Sequence, residues 1–136
     1  MDKPEFNKYG TLTEDHTCKN IDELKKTWGF NNHRKILINN AMPGFRMLKA
    51  AGVPYVFIGG SFVSKKPKPG DLDGVFVTGE NFDETKLPDD FLVMLEDFGL
   101  DFYADTTPTE FDGKPHIDFF RIGRNNENPG LIQLFL

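Results

Sequence analysis

Asp71 and Asp73 stand one residue apart at the head of the apolar run Val75–Val77. On a strand, residues two apart point to the same face, so these carboxylates would aim at one spot. Two unit charges about 4 Å apart repel by roughly 4 kcal/mol at an effective dielectric near 20. A cation between them removes that cost. Mg²⁺, or Mn²⁺ in its place, suits such a donor set, because Mg²⁺ is commonly held through one or two carboxylates plus substrate phosphates.

The residues just before the pair supply the other half of a site. Gly59, Gly60 and Ser61 follow the apolar run Tyr55–Ile58. Glycines let the backbone approach a ligand without a Cβ in the way. Exposed N–H groups after a strand, with the Ser61 hydroxyl, make a phosphate cradle. Lys65, Lys66 and Lys68 place positive charge between cradle and carboxylates, and Pro67 and Pro69 stiffen that loop.

Gly60-Ser61, nine intervening residues and then Asp71-Leu72-Asp73 resemble the signature of the DNA polymerase β-type nucleotidyltransferase superfamily. The Gly-Ser-Phe-Val and Lys-x-Pro-x-x-Asp-x-Asp wording is similar to a small, uncharacterised prokaryotic and phage group within it. The sequence departs from that pattern at Gly74, where a bulky apolar residue is usual. The resemblance implies transfer of a nucleoside monophosphate from an NTP, ATP foremost, to a protein or RNA acceptor. It implies that Asp71 and Asp73 bind two Mg²⁺ ions, and that Gly60, Ser61 and Lys65 hold the β- and γ-phosphates. In that superfamily a third carboxylate comes from a neighbouring strand. Asp118, within His116-Ile117-Asp118-Phe119-Phe120, is the residue expected to bind the metal nearer the acceptor and to help deprotonate its hydroxyl. A carboxylate flanked by apolar residues is out of place on a buried strand unless it is paired or ligates a cation. Asp101, Asp105 and Asp112 are weaker candidates, at strand ends or in turns.

Other chemistries find no support. His16, His33 and His116 are scattered, and a single cysteine, Cys18, excludes an internal disulfide and fits a reducing cytoplasm. Ser61 has no histidine at motif spacing, and the Gly-Ser loop lacks the Gly-Lys-[Ser/Thr] ending of a Walker A loop. No apolar run approaches the roughly 20 residues of a membrane span. The opening Met-Asp-Lys-Pro-Glu does not read as a signal peptide. The net charge of −5 argues against non-specific binding to nucleic acid, and bound divalent ions would offset most of it.

The elements that must position the site read as one α/β domain over residues 1–136: a short mixed sheet with helices packed on one face. Residues 1–30 form a polar arm, with a short strand near Tyr9–Leu12, and a helix over Ile21–Trp28 capped by Asn20 and Glu23. A longer helix runs from about His33 to Ala51, kinked or split at Pro43-Gly44. Arg34 and Lys35 lie at its start, where a solvated helix face is the favoured reading over a phosphate contact. After Pro88, a helix buries Phe91, Leu92, Leu95 and Phe98 and stops at Gly99. Leu100–Ala104, His116–Ile122 and Leu131–Leu136 read as strands. The 14 phenylalanines are mostly core, Phe62 included, although its ring lies near enough to the cradle to stack on a base. A different class stays open: a regulatory or binding module that kept the fold, such as a phage inhibitor or the partner of a toxin in a toxin–antitoxin pair.

Overall fold

The computed structural model describes residues 5–107, 113–122 and 129–136. Among them runs a mixed five-stranded sheet in the order β1-β5-β2-β3-β4. The strands are β1 (His16–Cys18), β2 (Tyr55–Gly59), β3 (Leu72–Phe76), β4 (Leu100–Ala104) and β5 (Ile132–Phe135). β2 is antiparallel to both β3 and β5, whereas β1–β5 and β3–β4 are parallel. The helices are α1 (Ile21–Trp28), α2 (Asn32–Ala50), α3 (Phe91–Asp97) and α4 (His116–Ile122).

Period-2 alternation divides the sheet into two unlike faces. Val56, Ile58, Leu72, Phe76, Leu100, Phe102, Ile132 and Leu134 are buried in one cluster with Leu24, Trp28, Ile38, Phe45 and Leu48 of α1 and α2 and with Leu95 of α3. The opposite face carries Phe57 and Gly59 of β2, Asp73 and Val75 of β3, and Asp101 and Tyr103 of β4. α4 covers part of that second face: Phe120 abuts Gly59, and the Arg121 guanidinium lies 5.6 Å from the centre of the Phe57 ring. Arg121 also pairs with both carboxylate oxygens of Asp15, which accepts a third bond, from the Leu131 amide.

Helix α1 forms where its caps are strongest. Asn20 accepts from the Glu23 amide, while the Glu23 carboxylate reaches back to the Lys19 amide. α2 is one uninterrupted 19-residue helix, so of the kink or split expected at Pro43-Gly44 the split does not occur. The carbonyl that Pro43 leaves without a donor belongs to Asn39, which is exposed, so water can take it. Gly44 lets α2 close on the sheet, since a Cβ there would come 2.5 Å from Leu100 Cδ1.

Four further expectations are corrected. The polar arm holds β1, a strand whose pairing is wholly with β5. The expected strand near Tyr9–Leu12 is instead a pair of isolated bridges, Phe6 to Leu12 and Thr11 to Ser64. On α3, Leu95 is buried but Leu92 is 43% exposed. The largest correction is that His116–Ile122 is a helix and not a strand.

Candidate functional site

β2 ends at Gly59, and Gly60–Phe62 make a single tight helical turn before the loop that leads to β3. Gly60 has φ +70°, a left-handed conformation that only glycine adopts cheaply. Antiparallel pairing sets Gly59 opposite Asp73. The turn therefore lies directly against the carboxylate. A Cβ on Gly60 would stand 2.8 Å from Asp73 Oδ2.

Asp71 and Asp73 do converge, as their spacing implies, and the third carboxylate beside them is Asp101. One ligand oxygen from each of the three lies within 4.8 Å of the others. Asp101 arrives through the parallel register of β3 and β4, which pairs it with Asp73. Asp118 takes no part in this group: it sits exposed on α4. Asp105 accepts from the amide and hydroxyl of Thr78 at 3.3 Å, and Asp112 lies outside the described residues.

The cluster is electrostatically strained without a cation. Burial, the charges of Asp71 and Asp101, and side-chain contacts with both push the Asp73 carboxyl up to about 7. Three converging hard oxygen donors, one of which holds its proton near neutrality, fit a divalent cation such as Mg²⁺ or Mn²⁺. Asp71 and Asp101 also line an open cleft of about 300 Å³, with Glu96, Gly99 and Tyr103 completing its wall.

Ser61 lies in the turn, half-buried, and its carbonyl accepts from the Ser64 hydroxyl. Lys65 is exposed, with its ammonium 5.3 Å from the centre of the Phe6 ring. Phe62 is fully buried and packs against Trp28, so its ring belongs to the core.

Gly74, the departure from the expected motif, has a local cause. A Cβ there would meet the Phe57 carbonyl at 2.1 Å and the Phe102 ring at 2.8 Å. Phe102 is the β4 partner of Gly74 and fills the space that a bulky side chain would occupy.

Arg34 corrects the reading of the α2 start as a solvated face: it is the one buried charged side chain among the described residues. Its guanidinium donates to the carbonyls of Trp28, Phe62, Ser64 and Lys66. The Phe30 and Phe62 rings stack on it, with centres 4.2 and 4.7 Å away. Burial lowers its pKa to about 10, which leaves it charged at neutral pH. Nothing in the local sequence signals this role, because the carbonyls it holds lie up to 32 residues further on.

Comparison with the curated proteins and with solved structures finds no match. A family model does match, over residues 4–135, and the chain therefore belongs to the family described as "Family of unknown function (DUF6932)".

Proposed function

We propose that this domain is a metal-dependent nucleotidyltransferase that moves a nucleoside monophosphate from an NTP, ATP foremost, to a protein or RNA acceptor in the cytoplasm. One observation carries the reading: Asp71, Asp73 and Asp101 bring ligand oxygens within 4.8 Å of one another, against a glycine turn at the end of β2. A pure scaffold has no use for that repulsion.

Asp71, Asp73 and Asp101 would hold the divalent ions. When bound, those ions supply charge neutralisation at the triphosphate and a lowered pKa at the acceptor hydroxyl. The chain's own residues do the rest. The Gly60 turn lies directly against Asp73 and sets Ser61 next to the carboxylates, where its hydroxyl donates to a phosphate, and Lys65 adds a mobile positive charge. Asp101 takes the acceptor-side role expected of Asp118, since it is the strand carboxylate paired with Asp73. The cleft bordered by Asp71, Asp101 and Tyr103 gives the acceptor a way in from the β4 side.

The test incubates the protein with each radiolabelled NTP, Mg²⁺ or Mn²⁺, and a cell lysate. A labelled protein or RNA band that vanishes in Asp101→Asn supports transfer. Absence of a band with all four NTPs and both metals would turn the reading to a non-catalytic module.

A further inference from the structure

The nucleotidyltransferase reading uses the loop between Gly60 and Asp71 but does not say what holds it in shape. Four consecutive residues of that loop, Lys65 to Lys68, are exposed, between the buried Val63 and the buried Pro69. The first turn of α2 supplies the anchor. Asn31 Nδ2 donates to the Pro67 carbonyl at 2.8 Å, and His33 Nε2 lies 2.7 Å from the Pro69 carbonyl. Arg34 takes the carbonyls of Phe62 at 2.8 Å, Ser64 at 2.8 Å and Lys66 at 2.9 Å. Five carbonyls of one loop are thus drawn toward a single helical turn. Arg34 holds three of them.

Two physical features separate this from ordinary packing. Guanidinium is a rigid, planar fan of five donors, and an ammonium cannot reproduce its reach to several carbonyls at once. Within one planar peptide unit, C=O and N–H point in opposite directions. Drawing the Ser64 carbonyl inward therefore turns the Lys65 amide away from Arg34. Of the three peptide units that Arg34 holds, the Ser64–Lys65 unit carries its N–H outward in this way, whereas the Val63 amide bonds to Gly60 O and Pro67 has none.

From this arrangement we infer that Arg34 is the positioning residue of the triphosphate cradle: it touches no substrate, and it sets the Gly60–Lys66 backbone in the shape that receives phosphate beside Asp73. The inference rests on the nucleotidyltransferase reading for its ligand, but not for the loop.

The experiment compares full-length wild type with Arg34→Lys, and with Phe30→Leu as the gentler variant. Phe30 is 52% exposed, so its loss weakens the stack on Arg34 without opening the core. Three quantities are read: amide hydrogen exchange in the free protein, Mn²⁺ affinity without nucleotide, and Mg·ATP affinity. Faster exchange is expected at Val63 and Lys66, whose amides bond to Gly60 O and Ser64 Oγ within the loop. The β2–β3 ladder should exchange at the wild-type rate. Mn²⁺ affinity should stay within twofold of wild type, while Mg·ATP affinity falls at least tenfold in Arg34→Lys and several-fold in Phe30→Leu.

If Arg34→Lys does not fold, the Phe30→Leu exchange pattern and affinities decide the matter alone. Wild-type Mg·ATP affinity in a folded Arg34→Lys protein overturns the inference, as does an equal loss of Mn²⁺ and Mg·ATP affinity. A wild type that binds no Mg·ATP overturns the site reading and the cradle role together. In that case the exchange data still show whether Arg34 holds the loop, so the two failures are told apart.

Discussion

Gly60 and Asp73 leave no room for a methyl group between them: a Cβ on the first would lie 2.8 Å from Oδ2 of the second. The turn and the carboxylate are therefore one unit, and disturbing either disturbs both. Gly60→Ala should lose about 1–2 kcal/mol of stability from the left-handed backbone alone, and it should also displace Asp73. Urea denaturation measures the first effect and Mn²⁺ titration the second. An alanine variant with wild-type stability and metal affinity would separate the turn from the site.

Membership of the carboxylate set divides Asp101 from Asp118. Loss of a hydrogen-bond partner behind a metal ligand typically costs ten- to a hundredfold in affinity, so loss of a ligand should cost at least about tenfold. Asp101→Asn should therefore weaken Mn²⁺ binding by that much or more, and Asp118→Asn by less than twofold. Isothermal calorimetry on both variants checks the pair, and the reverse order would restore the expectation drawn from the sequence.

The Asp73 carboxyl also sets a pH dependence. In the folded chain it keeps its proton up to about 7, against an ordinary value of 3.8. The folded state thus binds the extra proton between those limits, and this group's contribution to stability falls as pH rises through that window. Asp73→Asn removes the contribution. The variant should gain stability relative to wild type on going from pH 4 to pH 8, and saturating Mg²⁺ at pH 8 should narrow the gap. Thermal melts at the two pH values test this, and a difference that does not change with pH would contradict it.

Cys18 is buried, and burial pushes its thiol up to about 12. An alkylating reagent at pH 8 should leave the native chain unmodified and label it at the rate of global unfolding. Rapid native labelling, followed by mass spectrometry, would mean that β1 opens locally from β5.

Much of this architecture can be read from short-range pattern, because short-range forces decide it. α1 has both caps within its own few residues, and β4 runs from Leu100 to Ala104 as its alternation requires. The Asp71–Asp73 convergence follows from strand geometry alone. What escaped the sequence depends on distant partners. His16–Cys18 is polar and becomes a strand only through its pairing with Ile132–Leu134. His116-Ile-Asp-Phe-Phe-Arg-Ile suits either a strand or a helix by composition, and Pro115 just before it was the available helix signal. Taking that segment as a strand puts Asp118 in the place of Asp101, although the alternation of β4 is itself legible. Arg34 looked like surface because its carbonyl partners lie in the loop beyond β2.

The strand order β1-β5-β2-β3-β4 places the strand formed last in the sequence between the first two. Until Ile132–Phe135 are in place, β1 has no neighbour and β2 lacks one of its two. Assembly of the sheet must therefore wait for its most C-terminal strand, and a nascent chain carrying only β1 to β4 would expose the β2 edge to any extended segment nearby. Such a late, long-range closure is slow by topology. During that interval the β2 edge, and not the finished surface, is where this chain is most open to mispairing.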